Sequence, residues 1–256
     1  VLCFMFKYKQ ITDVLGRCIL DGRGVPAIEA EVLGEDGEIG RGAVSLPDSE
    51  NDLEELAESL VLFINRNLAD KIIGENLLAQ KYVDQILERS AGSMQEMQMR
   101  KYAIRAISCA TARTATKHLG IPLYQYLGGV QAQSYPILRI GIPEEKTPGA
   151  RCQILMDRWK NRYEKTEIGM ETLETKAEKV IQPEQYITVT QCLKEIRTWK
   201  EQGEKTIVLK DSEYVLDAFL VDLAVASGAD VLELRPPVRG ENSVKYSRLM
   251  RILEHL

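Results

Sequence analysis

The residues best suited to chemistry are Lys210, Asp211, Ser212, Glu233 and Arg235. They stand at or just past the ends of two short apolar runs, Thr206-Ile207-Val208-Leu209 and Val231-Leu232-Glu233-Leu234, which read as buried strands. Charged groups at the C-terminal ends of parallel strands are the raw material of barrel active sites. Against that stands a plainer reading, a solvated rim of paired charges, and the sequence favours it. Histidine chemistry is poorly supplied, because His118 and His255 fall in separate predicted helices. His118 suits the C-terminal end of a helix dipole better than it suits catalysis. Five cysteines, Cys3, Cys18, Cys109, Cys152 and Cys192, contain no CxxC spacing, so reduced and mostly buried thiols are expected in place of zinc or disulfides. The acid pairs Glu54-Glu55 and Glu144-Glu145 read as solvated surface, not as metal ligands.

The chain that must position these groups has 256 residues, 45% hydrophobic and 28% charged, with a net charge of -5. That balance is ordinary for a globular protein and gives no long-range pull toward nucleic acid or an anionic membrane. Neither partner is expected, and the expected location is cytoplasmic. The opening Val1 to Phe6 is too short to span a bilayer and lacks a leader pattern; the alternation of Phe4, Phe6 and Tyr8 suits a strand. From Ile11 to Val44 the pattern is that of antiparallel strands, with Gly34-Glu35-Asp36-Gly37 as a hairpin turn. Helical spacing begins at Asp52 (Leu53, Leu56, Leu60, Ile64), with Ser49 as its entry. A second helix is expected over Leu77–Arg89 with Tyr82, Ile86 and Leu87 on its inner side. A third, over Met97–His118, is rich in Ala and Thr, which let neighbouring helices approach closely. Gly120-Ile121-Pro122 stops it. An apolar strand at Tyr135–Ile142, a Pro/Gly break and a charged helical segment over Arg151–Val180 follow. The remainder alternates helix and strand: helices Gln191–Gln202, Val215–Ser227 and one from near Ser243, with the two apolar runs between. The fold class is therefore α+β over residues 1–134, then a parallel α/β unit over 135–256.

Two blocks carry a family resemblance. Ile19-Leu20-Asp21-Gly22-Arg23-Gly24-Val25-Pro26-Ala27-Ile28-Glu29 and Gly120-Ile121-Pro122-Leu123-Tyr124-Gln125-Tyr126-Leu127-Gly128-Gly129 lie in the first half. Asp217 to Val225 and Lys245-Tyr246-Ser247-Arg248-Leu249-Met250-Arg251-Ile252-Leu253-Glu254 lie at the other end. Together they resemble the enolase family, in order and from opposite ends of its sequence. The resemblance implies an enolase-like N-terminal domain and a truncated β/α barrel. Tyr135–Ile142 would be the first barrel strand; Ile181–Ile187, Thr206–Leu209 and Val231–Leu234 would be the last three, four contiguous strands with 151–180 as a helical insert. The strands that bring the magnesium carboxylates and the general-acid glutamate would be missing.

By the same resemblance, Gln182 stands where the family has its base lysine, and an amide cannot take up a proton near neutral pH. Leu209-Lys210-Asp211-Ser212 replaces the family's Ser-His-Arg-Ser, and Glu233 replaces a substrate lysine. Two of these changes reverse charge, so an anionic substrate should be repelled. Ser49 lines up with a metal-contacting serine, although helix entry is the preferred reading. The implied protein is an enolase-like pseudoenzyme, with no cofactor and a role in assembly, regulation or protein binding. The alternative is a lyase or hydratase of the enolase superfamily, with magnesium, using the altered strand-end pocket. A half barrel leaves two open strand edges. Either the helical segment Arg151–Val180 folds over the opening or, as expected here, a homodimer or higher oligomer completes the barrel with four strands from each copy; a protein partner is a further expectation.

Overall fold

The computed structural model describes residues 8–47, 52–129, 132, 134–142, 150–170, 177–203 and 205–255. The chain forms two compact units. Residues up to Ile19, Pro26–Ile121 and Ile187–Thr190 make the first; Leu20–Val25, Pro122–Tyr186 and Gln191–Leu256 make the second. Among the described residues, no helix is long and apolar enough to cross a membrane.

The first unit is built on a sheet in the order β1 (Ile11–Leu20), β2 (Pro26–Gly34), β3 (Ile39–Ser45). Strands β2 and β3 pair antiparallel from Ala27↔Ser45 to Leu33↔Ile39, and Gly37 turns the hairpin with φ 85°. Side-chain alternation sends Ile28, Ala30, Val32 and Val44 to one face. Helix α1 (Leu53–Phe63) is capped by Asp52, whose carboxylate accepts from the Glu55 amide. Ser49 lies outside the described residues, as do Phe4 and Phe6 of the expected opening strand. A π-helical turn at Ile64–Leu68 follows, then the short α2 (Ala69–Ile72). Asn65 in that turn pairs with the Gly16 backbone in both directions (2.7 and 3.2 Å), so a side-chain amide takes the place of a neighbouring strand at the edge of β1.

Helix α3 (Gln80–Arg89) begins three residues later than expected and buries Val83, Asp84 and Leu87, while Tyr82 faces solvent. Helix α4 (Met94–Leu119) opens on a capping box between Ser93 and Glu96 and closes on the left-handed Gly120. Its small residues serve a helix–sheet contact, where a helix–helix contact was expected. A Cβ at Gly40 or Gly42 would collide with the carbonyl of Ala110 or Ala106, so both glycines are needed for this approach. Thr114 Oγ1 accepts from Gly40 N (2.9 Å) and lies 2.9 Å from the carbonyls of Val32 and Ala110. His118 pairs with Asp36 at 2.8 Å. Cys109 is buried and Cys18 exposed.

The second unit takes in the turn at Leu20–Val25 together with α5 (Leu123–Gly128). Its sheet contains β4 (Ile137–Ile142), β5 (Thr166–Met170), β6 (Glu178–Ile181), β7 (Thr206–Lys210) and β8 (Val231–Leu234). Helices α6 (Ala150–Arg162), α7 (Val189–Gln202), α8 (Phe219–Ser227) and α9 (Gly240–Leu253) alternate with them. The order is β5-β4-β8-β7-β6 and the pairs are parallel. The first and last expected strands are neighbours, as β4 and β8. Two expectations are corrected. The segment 151–180 is not one helical insert: α6 ends at Arg162, a turn follows, and β5 pairs with the edge of β4, bringing β-branched Thr166 and Ile168. The strand expected at Ile181–Ile187 runs from Glu178 to Ile181 instead, and Pro183 opens a 3-10 turn after it. Among the described residues five strands replace the expected four, so two copies would bring ten to a shared barrel and not eight.

One face of this sheet is apolar, with Leu138, Ile140, Ile181, Ile207, Leu209, Leu232 and Leu234 all buried. The other carries Glu167, Arg139, Glu233, Lys210 and Glu178 together with Ile137, Val180, Val208 and Val231. Arg139 on β4 reaches Glu178 on β6 at 2.9 Å, although three strand spacings, about 14 Å if flat, separate those strands. The sheet therefore curls toward its charged face.

Candidate functional site at the strand ends

Register assembles the site. Glu167 pairs with Arg139, Arg139 with Glu233, and Glu233 with Lys210, so one row across β5, β4, β8 and β7 alternates in sign. The ion pairs follow that row: Arg139 to Glu167 at 3.5 Å, Arg139 to Glu233 at 3.7 Å, and Lys210 to Glu233 at 3.6 Å. Glu233 is only 2% exposed, so its two cations are what make its charge tolerable there. Burial works against the charge on Arg139. The bond to Glu178 and the fields of Glu178, Glu233 and Glu167 outweigh it, and hold that guanidinium above the usual arginine value.

The other predicted residues go to different places. Gln182 follows the last residue of β6 and accepts from Gln185 Nε2 at 2.8 Å. Ser212 donates to Glu184. Asp211 has the parity of the apolar face and is buried with Lys245 of α9, whose Nζ lies 2.6 Å from both carboxylate oxygens and 3.1 Å from the Glu213 carbonyl. Arg235 stacks 4.0 Å from the Tyr214 ring centroid, and Arg23 lies 3.9 Å from the same centroid. Arg23 is delivered by the turn at Leu20–Val25, in which Asp21 accepts from the Arg23 amide at 2.8 Å and Gly22 N donates to the Tyr214 carbonyl at 2.8 Å. Gly22 lies so close to the Glu241 carboxylate that any side chain would collide with it.

So the structure joins Lys210 to Glu233 and separates both from Asp211. It also corrects two expectations. The charges are paired, but Asp211 and Glu233 are buried and Lys210 and Arg235 half-buried, which is not a solvated rim. And the two charge reversals are compensated, Asp211 by Lys245 and Glu233 by Arg139 and Lys210, so repulsion of an anion does not follow from them. Sequence reasoning missed Arg139, Glu178 and Lys245. Arg139 is the one charge in Ile137-Leu138-Arg139-Ile140, and Lys245 shares a helical stripe with Leu249 and Ile252; a lone charge on an apolar face was the available signal.

A magnesium site needs carboxylates that converge with free lone pairs. Here Glu167, Glu178 and Glu233 are each engaged by Arg139 or Lys210. Among the described residues, no three His, Cys, Asp or Glu groups gather to hold an ion. The described residues of the row do not fit magnesium, and no step is derived through it. What the row can do is hold a curled sheet in register. Residues 11–127 match the family model described as enolase, N-terminal domain.

Proposed function

The chain is a relative of the enolase family through the N-terminal domain it carries, and on that premise we propose that it is a non-catalytic member with an assembly, regulatory or protein-binding role. One observation carries this reading: Glu233 is closed into an ion-pair row with Arg139 and Lys210. Enolase-type chemistry takes a proton from a carbon acid and stabilises the resulting enolate. Gln182 offers no base, and the carboxylates of the row are engaged by Arg139 and Lys210. The curled five-stranded sheet is the remnant of a β/α barrel in this reading, with β5 and β6 as its two edges. Such edges invite a second chain, and a homodimer that covers them fits the role.

Steady-state turnover of 2-phosphoglycerate with magnesium tests the proposal. The expected rate is indistinguishable from the no-enzyme control. A rate well above that control, lost in Lys210→Ala, overturns it and favours the lyase reading.

A further inference from the structure

Helix α6 presents a stripe of three exposed side chains at single-turn steps, Ile154, Arg158 and Arg162, with Ile154 at 53%. Beside that stripe, α6 and α9 frame an open groove of about 510 Å³ lined by Leu155, Arg158, Trp159, Asn161, Arg162 and Met250. Trp159 is set against Tyr246 of α9, with ring centroids 4.7 Å apart, so the aromatic wall is fixed before anything binds. Arg158 and Arg162 form no hydrogen bond or ion pair among the described residues, and no carboxylate lines the groove.

Trp, Met and Arg are side chains that protein interfaces collect, and two guanidiniums without an internal counter-charge set the sign of what fits beside them. Charge complementarity asks for two carboxylates at the spacing of the arginines, about 6 Å along the axis, which is one turn of a facing helix. The apolar wall and Ile154 ask for aliphatic side chains on the same face of that helix. Nucleic acid also pairs with arginine and aromatic rings, but the chain's own net charge of -5 works against a long polyanion. We propose that the α6–α9 groove docks an acidic amphipathic helix of a different protein. The proposal rests on the protein-binding reading above and gives that partner its chemistry. It makes no use of the β5 and β6 edges, to which the homodimer is assigned.

The probe is a capped helical peptide of Ala, Glu and Leu with two glutamates one turn apart and leucines beside them. It is titrated at low salt into the full chain carrying Trp199→Phe, which leaves Trp159 as the one tryptophan. Trp159 emission should shift saturably, and the affinity should fall as salt rises. R158E/R162E should bind about tenfold more weakly, because two opposite-charge contacts become like-charge ones. The same variant should prefer a matched peptide with lysines in place of the glutamates, and its thermal midpoint should equal that of wild type because both positions are exposed. Alanine in place of the peptide's leucines should also weaken binding, with the protein left untouched. A titration with no saturable shift overturns the proposal. So does binding that is unchanged in R158E/R162E, which would place the peptide elsewhere. A single-stranded oligonucleotide that binds more tightly than the peptide, and is lost in R158E/R162E, gives the groove to nucleic acid and overturns it. R158E/R162E should sediment as wild type does; a smaller species gives the groove to a second copy and overturns it as well. Turnover of 2-phosphoglycerate would overturn the non-catalytic reading alone, so the two failures are told apart.

Discussion

Each unit contains a sheet with one apolar face and one face that carries ion pairs, and the two sets of pairs differ in their access to solvent. In the first unit Arg17 and Arg41 bracket Glu29 and Glu31, and the side chains of Arg17 and Arg41 are 39% and 60% exposed. In the second unit Arg139 and Lys210 bracket Glu233, and the three are 15%, 13% and 2% exposed. The alternation along the strands is the same. Solvent decides what it is worth, because exposed pairs add little while a buried charge that loses its partner is costly. Ion pairs can therefore be trimmed from the first sheet with little effect. In the second, a carboxylate that loses its cation is left buried without a partner.

The sharpest break is expected at the pair on the helix side of the second sheet. Lys245→Met leaves the Asp211 carboxylate buried without its cation, and unfolding in urea should show a loss of about 3–5 kcal/mol. Adding Asp211→Leu should recover most of it, since an apolar pair of similar volume avoids the desolvation cost. A K245M variant as stable as wild type would mean that this ion pair contributes nothing. The corresponding break in the first unit is steric. Gly42→Ala drives a methyl group into the Ala106 carbonyl, a backbone atom that cannot rotate away, and should cost about 2–3 kcal/mol by the same measurement. The charged faces themselves come next. Arg139→Gln should cost about 1–2 kcal/mol, less than Lys245→Met because Lys210 remains beside Glu233. Arg41→Gln should cost less, about half that loss or below, because that pair is open to solvent at Arg41. Equal losses in these two variants would erase the distinction between the sheets.

The first unit was the more legible one in sequence. Strand alternation, the Gly34 to Gly37 turn and the glycine stop at Gly120 are local signals, and all three elements stand where they point. Side-chain partners were less legible even there: the glycines that admit α4 are on β3, about seventy positions from the Ala and Thr residues they meet. In the second unit β5 was hidden because Thr166-Glu167-Ile168-Gly169-Met170 is short and lies in a run dense with charge. Its identity as a strand depends on an edge of β4 that no local pattern reveals. The site failed for a related reason. Lys210 and Glu233 were visible as strand-end charges, but their partner Arg139 sits some seventy residues or more before them. Whether a charge reversal repels an anion or is neutralised depends on that partner.

The smallest expected effects separate two carboxylates of the first unit by sign. Burial alone would raise Glu31, but hydrogen bonds and charge from Arg41 and Arg17 outweigh it and hold Glu31 below the usual glutamate value. A depressed carboxyl gives stability that is present above its unfolded pKa and is lost as pH falls through the folded one. Asp84 has the opposite sign. Burial raises its pKa above the usual aspartate value, against the opposing effect of bonds from Thr190, Ser108 and Gln80. Between the unfolded and the raised folded value the folded state binds more protons, so stability present at the acid end is lost as pH rises through that window. Glu31→Gln should flatten the acid limb of a plot of unfolding free energy against pH. Asp84→Asn should remove a decline that begins near the ordinary aspartate value and runs upward. Asparagine cannot satisfy every donor at that site, since Ser108 Oγ at 2.7 Å and Thr190 N at 3.0 Å approach opposite carboxylate oxygens. The D84N curve should therefore start below wild type at acid pH and gain on it as pH rises. Parallel curves would mean that Asp84 does not titrate differently on folding, and that the burial of one carboxylate in this unit has no bearing on its stability.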